Sequence, residues 1–559
     1  MYQIFVDRFR NGDPTNDVVS DEYVYIGFPV EKIDNWNEGL SVLDVDRFYG
    51  GDIKGIWDKL DYLQGLKVEV LYLSPLFVSP SNHKYDCQDY DHIDPHYGVI
   101  VKDAPGLVKS DAVDNDEAYK YSVRTADMEN LKASDEFFVK FVEEVHKRGM
   151  KIILDGVFNH CGSFNKWLDR EKIYEKHGGY APGAYSSAES PYKDYFKFKH
   201  TKPEDWPENE SYESWWNHNT LPKLNYEGSE ELYRHILEIG KKWVSPPFNI
   251  DGWRLDVAAD LGHSQELNHR FWRDFRKVVK EANPEAVILA EHYGDVSPWL
   301  QGDVWETVMN YDAFMEPLTW FLTGLEKHSD RYDPHLFQNS QAFMSSMLDH
   351  MTAFQTPSLM AAMNELSNHD HSRFLTRTNR QVGRLASKGA AAANEGLNFG
   401  TFRSAAIVQM TWPGAPTIYY GDEAGVCGWT DPDSRRTYPW GHENQELIEF
   451  HRYLGGIRKR NKAFRSGSFK PLLAENGVIA YGRFCEDSRG VVIVNSTGQN
   501  KHVHIPVWQI EVTGTHMRRL MKSTDIRYNV GQVDYPVEDG ILTLELAQHG
   551  SMILVEKTI

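Results

Sequence analysis

A chain of 559 residues is longer than one ordinary domain, although a single (β/α)8 barrel can occupy about 250 residues or more. Hydrophobic residues make up 41% of the chain and charged residues 25%, which is typical of soluble globular proteins and excludes extensive disorder. The formal charge of −21 gives no net positive field for a polyanion. Nucleic acid is therefore not an expected partner, and a neutral or cationic ligand is favoured.

No sequence feature indicates export, a membrane span or a reactive thiol pair. The opening residues lack the basic start and apolar run of a secretory signal, and no stretch of about 18 apolar residues could cross a bilayer. The four cysteines are far apart and have no metal-binding spacing: Cys87, Cys161, Cys427 and Cys485. We expect no membrane partner and a cytoplasmic location, or an extracellular one if the chain is a piece of a longer exported protein.

Short apolar runs alternate with amphipathic stretches over most of the chain, the pattern of parallel strands joined by helices. Strands are predicted at 3–6, 68–73, 151–154, 250–255, 286–290, 304–309, 361–366 and 417–420. The predicted helices include 53–66, 134–148, 230–244, 265–281, 392–411 and 443–462. Eight repeats of strand and helix predict an α/β fold, a (β/α)8 barrel.

Two connections are longer than the usual βα loop of a few residues, and they suggest added structure. The first covers residues 98–133, and the second, 161–224, is aromatic and polar, as expected of a small inserted domain after the third strand. From residue 464 to 559 the pattern changes to short alternating strands with turns between them, which predicts an antiparallel β-sandwich. The barrel would then consist of residues 1–160 and 225–463.

Active residues of such barrels lie at the carboxyl ends of the strands, so polar residues there indicate chemistry. The third predicted strand ends in Asp-Gly-Val-Phe-Asn-His (155–160) and the fourth in Gly-Trp-Arg-Leu-Asp (252–256). The fifth ends in Ala-Glu-His (290–292), and the seventh in Asn-His-Asp (368–370). Acids at three of these strand ends form a group suited to cleaving glycosidic bonds: Asp256, Glu291 and Asp370.

Glycosidic bond cleavage requires one ionised carboxylate beside the anomeric carbon and one protonated acid beside the leaving oxygen. Arg254 would favour the ionised form of Asp256. A neighbouring negative charge and partial burial would raise the pKa of the acid, Glu291. The two carboxyl groups would thus acquire different roles from their surroundings.

These blocks, together with Leu-Pro-Lys-Leu-Asn at 221–225, resemble the conserved regions of the α-amylase family of glycoside hydrolases in order and position. The resemblance covers roughly residues 1–463. It is strongest with the neopullulanase, cyclomaltodextrinase and maltogenic amylase branch, and with the catalytic part of amylopullulanases. The chain departs from many relatives at Ala-Glu-His-Tyr (290–293), where they have Gly-Glu-x-Trp, which changes the wall near the leaving sugar.

Carried over residue by residue, the resemblance implies Asp256 as nucleophile, Glu291 as general acid/base and Asp370 as stabiliser of the transition state. It also implies a set of substrate-binding residues: Tyr85, His160, Arg254, His369, Asp431 and Arg435. Alone, a histidine in such a chain is commonly a buried core residue, and His292 could have either role. The aromatic residues of the inserted segment could line a sugar site or form its core.

A run of hard oxygen donors near the start of the chain suggests a calcium site, because calcium takes about six to eight oxygen ligands. In the resembling branch these positions imply a structural calcium ion bound by Asn11, Asp13, Asn16, Asp17, Gly51 and Asp52. The alternative for the same run is a plain turn rich in aspartate and asparagine.

The sequence therefore predicts a retaining glycoside hydrolase that cleaves α-1,4-glucosidic bonds of starch, maltodextrins, pullulan or cyclodextrins through a covalent glycosyl-enzyme intermediate. One alternative is a transglycosylase or glucosyl isomerase that uses the same intermediate. Another is a non-catalytic glucan-binding protein, whose expected signature is loss of one of the three acids. The partner is an α-glucan in every case, and the oligomeric state stays open.

Overall fold

A parallel β-barrel forms the body of the molecule in the computed structural model, which describes residues 1–175, 177 and 179–557. Within those residues the barrel has eight strands: β1 (Tyr2–Ile4), β2 (Val70–Leu73), β3 (Lys151–Gly156), β4 (Gly252–Leu255), β5 (Val287–Ala290), β6 (Thr307–Val308), β7 (Met363–Glu365) and β8 (Ala415–Tyr419). The sheet runs in the order β6-β5-β4-β3-β2-β1-β8-β7, with every pair parallel. A parallel bridge between Met309 and Met363 joins the two ends. The predicted (β/α)8 barrel is confirmed.

The strands read as apolar runs because helices cover the outside while side chains fill the inside. On β2 and β5, for example, Leu71, Leu73, Ile288 and Ala290 are all buried in one core with the surrounding helices. Several predicted strands are a few residues too long at their start. Val68 and Ile250 are buried there without belonging to a strand, so their apolar character reflects packing and not sheet pairing.

Helices follow most of the strands: α1 (Ile53–Asp58), α2 (Leu60–Gly65), α3 (Tyr119–Ala126), α4 (Met128–Lys147), α5 (Glu230–Val244), α6 (Gln265–Ala282), α7 (Glu316–Thr323), α8 (Ser340–Met351), α9 (Thr356–Ala361), α10 (Phe374–Arg377), α11 (Leu385–Ala392), α12 (Phe399–Thr411), α13 (Gln445–Arg460) and α14 (Lys462–Ser466). The helix predicted at 134–148 begins six residues too late. The Asp127 side chain accepts the Glu129 N–H and so caps α4 within the long connection. The connection at 98–133, predicted to be long and to hold added structure, contains α3 and the start of α4.

The described part of segment 161–224 is built from turns and short 3-10 helices, at Lys193–Tyr195, Pro203–Asp205 and Trp215–Asn217. Most of its aromatic residues are buried in two hydrophobic cores, including Trp167, Tyr195 and Phe196 in the main one. Trp216 differs, because its side chain is 75% exposed. Core packing therefore explains most of the aromatic content of this segment.

The chain after the barrel forms an antiparallel sheet. Its strands in the described residues are β9 (Ser468–Glu475), β10 (Val478–Cys485), β11 (Ser488–Asn495), β12 (Lys501–Pro506), β13 (His516–Ser523), β14 (Tyr528–Asn529), β15 (Val533–Glu538), β16 (Ile541–Leu546) and β17 (Ser551–Glu556). Side chains alternate between two cores: Ala480 and Ile493 point into a core of the sheet alone, whereas Tyr481 and Val492 pack on the barrel core. This double burial fixes the sheet against the barrel.

None of the helices in the described part of the chain is long and apolar enough to cross a bilayer.

Candidate active site

Three strand ends meet at one arginine. Arg254, on β4, has a fully buried side chain whose Nη1 lies 2.9 Å from Asp155 Oδ1 on β3 and 2.8 Å from Asp256 Oδ1 just beyond β4. Its Nη2 lies 2.9 Å from Glu291 Oε2, just beyond β5, although the two atoms are not aligned for a hydrogen bond. The guanidinium therefore holds the proposed nucleophile and the proposed acid/base side by side.

Burial has the largest effect on the pKa values of the two aspartates in this cluster. It raises the pKa of Asp256 well above the usual aspartate value, and the Glu291 charge raises it further, while Arg254 opposes both effects. Burial likewise raises the pKa of Asp155, against the Arg254 charge and a hydrogen bond from Tyr72. Arg254 thus acts in the direction the sequence predicts, but burial outweighs it. The charge of Asp256 depends on keeping that ion pair.

Glu291 is tied to the loop that follows the nucleophile. The Val257 N–H donates to Glu291 Oε2 at 3.1 Å, and the Glu291 residue is only 5% exposed. Val257 has a φ of 37°, a left-handed conformation that is strained for a β-branched residue. Strain directly beside the nucleophile is the kind of backbone feature that clusters at functional sites.

The third acid lies in a second charged group. Arg435 Nη2 lies 3.3 Å from Asp370 Oδ1 and 3.7 Å from Asp431 Oδ2. His369 Nε2 lies 3.3 Å from Asp370 Oδ2, and Gln3 Nε2 donates to His369 Nδ1 at 2.9 Å, which leaves the histidine proton on Nε2. Burial and nearby arginines lower the pKa of His369 well below its usual value, so the ring is neutral.

Tyr85 and His160 connect the group around Arg254 with the group around Asp370. The Tyr85 ring stacks on the His369 ring at 5.1 Å and 9°, and its hydroxyl donates to Asp155 Oδ2 at 2.8 Å. His160 Nε2 donates to the Tyr85 carbonyl oxygen at 3.0 Å, and burial lowers the pKa of His160 to about 4. The Trp215 ring stacks on His160 at 5.1 Å and 11°. The structure therefore brings together all nine catalytic and substrate-binding residues named from the sequence.

His292 and Tyr293, which follow Glu291 in the chain, have different surroundings. The His292 ring packs 4.7 Å from Trp299, and its Nε2 donates to the Asp295 carbonyl oxygen. Tyr293 is 46% exposed and stacks on Tyr311 at 4.5 Å and 17°. Tyr293 therefore offers an exposed ring beside Glu291, whereas the His292 ring packs on Trp299.

Sequence reasoning missed several residues that support the site. Asp155 was part of a noted strand end, yet its contacts with Arg254 and the Tyr72 hydroxyl, 2.6 Å away, depend on three strands meeting. Asn368 Oδ1 accepts the backbone N–H of Asp370 at 3.0 Å. Its position in the Asn-His-Asp block is the one signal that could have identified this support.

The residues predicted to bind calcium gather at the start of α1. Asn11 Nδ2 donates to both carboxylate oxygens of Asp17, at 2.8 and 2.9 Å, and Lys32 Nζ lies 2.9 Å from Asp17 Oδ2. A Cβ on Gly50 would lie 2.2 Å from Asp17 Oδ1, whereas one on Gly51 would meet backbone atoms. The α-carbon of Gly50 therefore faces the Asn11 and Asp17 side chains, and Gly51 could contribute only its carbonyl oxygen to an ion.

Asp52, a further carboxylate of this group, caps the helix. Asp52 accepts the backbone N–H groups of Gly12, Asp13 and Gly55 at 3.0, 2.8 and 2.6 Å. Asn16 Nδ2 lies 3.3 Å from Asp52 Oδ2. Burial raises the pKa of Asp52 to about 7 against these hydrogen bonds. The Asx-rich run thus has a structural role as a turn and helix cap, whatever else it binds.

Two features of the group suit a hard cation. The side-chain oxygens Asn11 Oδ1 and Asn16 Oδ1 are buried without a hydrogen-bond partner, an arrangement that a metal ion or a water would satisfy. Against this, no three histidine, cysteine or acidic side chains in the described residues are arranged to hold a metal ion. Amide oxygens and one or two carboxylates remain as the ligand set that the residues can offer.

Residues 3–110 and 120–473 match the family model described as alpha amylase, catalytic domain. The chain is 32% identical to a cyclomaltodextrinase of Thermoanaerobacter pseudethanolicus over 94% of this chain and 75% of that protein. The chain belongs to the α-amylase family. The family predicted from the sequence blocks is confirmed, and a retaining mechanism is general for its glycoside hydrolases.

Other relatives extend beyond this chain. It is 31% identical to an amylopullulanase of Thermoanaerobacterium saccharolyticum over 99% of this chain, but it spans only 42% of that protein. Among solved structures, the type III pullulan hydrolase from Thermococcus kodakarensis superposes with a TM-score of 0.74 at 26% identity, covering 100% of this chain and 81% of that one. The similarity to that hydrolase includes the antiparallel sheet behind the barrel.

Replacing Arg254 with leucine should lower the free energy of unfolding by about 3–5 kcal/mol, because Asp155, Asp256 and Glu291 would lose their shared buried cation. Urea unfolding at neutral pH measures this loss. The control is Arg273→Leu, which breaks a half-exposed pair with Asp303 and should cost less than about 1 kcal/mol. Equal effects of the two changes would contradict the central role of Arg254.

Proposed function

We propose that this chain is a retaining α-glucan hydrolase that cleaves α-1,4-glucosidic bonds of pullulan, cyclodextrins, maltodextrins or starch. The observation that carries the proposal is the single buried guanidinium of Arg254, which contacts the carboxyl groups of both Asp256 and Glu291. Two carboxyl groups held close together are what double displacement at an anomeric carbon requires. The names of the relatives, cyclomaltodextrinase, neopullulanase and maltogenic α-amylase, support the substrate class.

In this proposal Asp256 attacks the anomeric carbon while Glu291 protonates the leaving oxygen, which gives a glycosyl-enzyme. Glu291 then removes a proton from the incoming water, whose oxygen bonds to the anomeric carbon as the bond to Asp256 breaks. Asp370 binds sugar hydroxyls as the ring distorts, and His369, neutral with its proton on Nε2, donates a hydrogen bond on the same side. Tyr85 supplies a ring face for the attacked glucose. The remaining binding residues are His160, Arg254, Asp431 and Arg435.

The second candidate is transglycosylation through the same intermediate. The Tyr293 ring, 46% exposed at the Glu291 wall, offers a face on which an acceptor sugar could stack in place of water. Products formed from maltotriose in a large excess of maltose separate the two reactions. Oligosaccharides longer than the substrate would show that a sugar competes with water for the intermediate.

The proposed hydrolysis is tested by a chromatographic time course on soluble starch, pullulan and β-cyclodextrin. Panose from pullulan together with maltose from cyclodextrin would support the neopullulanase branch. A ladder from starch, with the other two substrates intact, would support an α-amylase. A chain that binds these glucans but releases no product would contradict the proposal and support the glucan-binding alternative.

We also propose that a structural calcium ion binds the group of Asn11, Asp13, Asn16, Asp17, Gly51 and Asp52. The two unpaired buried amide oxygens, Asn11 Oδ1 and Asn16 Oδ1, support this proposal. Calcium would supply the positive charge that Lys32 now gives to Asp17. Its role there is to stabilise the turn before α1, and the chemistry of bond cleavage does not pass through it.

Removal of calcium should lower the melting temperature of the protein. A ligand at about 100 times its Kd stabilises the folded state by about 2.7 kcal/mol, so a chelator should remove a stabilisation of that order. Differential scanning calorimetry with and without chelator measures the shift, and Asn16→Ala should abolish it. An unchanged melting temperature, with no calcium in the purified protein by mass spectrometry, would show that Lys32 alone neutralises Asp17.

A further inference from the structure

The loop that carries Tyr85 has an unusual backbone. Lys84, directly before it, has a φ of 61°, in the left-handed region that residues with a side chain rarely adopt. The Lys84 N–H donates to Ser81 Oγ at 3.0 Å, and Ser79 Oγ donates to the Lys84 carbonyl oxygen at 3.3 Å. A conformation of this kind persists only where the surroundings hold it.

A chain of alternating charges starts from the same lysine. Lys84 Nζ lies 2.6 Å from Asp94 Oδ2, and Asp94 Oδ1 accepts from His96 Nδ1 at 3.0 Å. His96 Nε2 then lies 2.9 Å from Glu22 Oε1, and Glu22 Oε2 lies 2.9 Å from Arg124 Nη1. None of the five side chains is more than 5% exposed. Each inner charge of this buried chain therefore lies between two opposite charges, and each end charge also bonds to a backbone group.

The protonated imidazole of His96 is the central link. Both of its ring nitrogens face carboxylate oxygens, so both are donors only when the ring carries a positive charge. Burial lowers the pKa of His96, but the Glu22 and Asp94 carboxylates outweigh this and raise it overall. The Tyr121 ring stacks on the imidazole at 6.0 Å and 15° and closes off one of its faces.

We propose that Glu22, His96 and Asp94 act as a positioning relay that holds Lys84 in its left-handed conformation and so fixes the ring of Tyr85. The inference rests on the proposed function, in which Tyr85 supports the attacked glucose. Asp94 is the shared element, because its two oxygens bind His96 and Lys84 separately. Asp94 Oδ1 also accepts the His96 backbone N–H at 2.9 Å, and Asp94 Oδ2 accepts the Ser79 N–H at 3.1 Å. Loss of the His96 charge would therefore remove one of the two donors to Oδ1 and loosen the contact of the carboxylate with the Lys84 ammonium.

A purely structural ion network would behave differently. Its loss would lower stability and affect activity independently of the residue at position 85. A relay that acts through Tyr85 predicts instead that the kinetic effect of changing His96 disappears once the Tyr85 ring is gone. The coupling between the two positions is the quantity that separates the two roles.

The test is a double-mutant cycle of His96→Gln and Tyr85→Ala, with kcat and KM measured on maltoheptaose. We expect His96→Gln to lower kcat/KM by about tenfold with Tyr85 present and by less than about twofold in Tyr85→Ala. Additive effects would overturn the relay. The control is His146→Gln, which removes a histidine 2.7 Å from Asp251 before β4 and should change kcat/KM by less than about twofold.

A crystal structure of the variant tests the relay without catalysis. In His96→Gln we expect Lys84 to leave its left-handed φ and the Tyr85 hydroxyl to lose its bond to Asp155. Glu22→Gln, which keeps the shape of the side chain, should give the same shift if His96→Gln does not fold. An unchanged loop would overturn the relay even in an active enzyme. A wild-type chain with no glucan product would contradict the proposed function alone, because the loop readout would still stand.

Discussion

Glu291→Gln is expected to lower kcat/KM on starch and pullulan by about 10²–10⁴-fold, because general acid catalysis typically contributes that much. Glutamine keeps the size of the side chain but cannot deliver a proton to the leaving sugar oxygen. The effect should depend on the leaving group. With α-maltosyl fluoride, whose fluoride leaves without full protonation, the variant should retain far more of the wild-type rate than it retains with starch.

The fold should survive this change. Arg254 would keep its contacts with Asp155 and Asp256, so the buried cation would still be paired. Asp295→Asn is the matched control: this acid lies four residues after Glu291, is exposed, and should leave kcat/KM within about twofold. Equal losses on starch and on the fluoride would contradict the acid role, since they would show that the variant damages a step common to both substrates.

The barrel was predictable from sequence because its strands are short apolar runs that helices cover on the outside. The α5 helix was predicted with the bounds that the structure gives it, because Ser229 caps it and its apolar positions follow the helical period. At α4 the same reasoning placed the start of the helix six residues too late, because Asp127 caps it in a polar stretch. Periodicity locates an element, and local capping bonds decide where it begins.

The antiparallel sheet behind the barrel was only partly predictable. Strand β13 contains Arg518, Arg519 and Lys522 and lacks the clean alternation of apolar and polar residues, so its own sequence does not predict a strand. It forms because β15 and β17 pair with it on either side. Such pairing is a long-range property: the partners supply the backbone hydrogen bonds, and the sequence of the strand itself carries little signal.

The acids of the site were predictable because parallel strands bring their carboxyl ends to one rim. The supports of those acids were not. The relay from Glu22 to Lys84 links residues 62 positions apart in the chain, through a loop whose path no local pattern specifies. The same holds for the Tyr85 hydroxyl on Asp155, which needs the fold of the 79–86 loop before the contact exists.

Asp256→Asn should have the largest effect on activity, a loss of about 10⁴-fold or more in kcat, because the covalent route is lost altogether. Arg254 Nη1 binds one oxygen of Asp256, Oδ1, and the side chain keeps 10% of its surface exposed. An amide at this position is a poor nucleophile and cannot balance the developing positive charge at the anomeric carbon. Asp303→Asn, a surface change, is the control.

The nucleophile can also be identified directly. A 5-fluoro-α-glucosyl fluoride forms its glycosyl-enzyme quickly and hydrolyses it slowly, so the trapped sugar should add its mass to one peptide. We expect that peptide to contain Asp256, and the Asp256→Asn protein to give no adduct. Because burial raises the pKa of Asp256 against the opposing charge of Arg254, trapping should also fade as the pH falls below that raised pKa. An adduct on Glu291 or Asp370 would contradict the assignment.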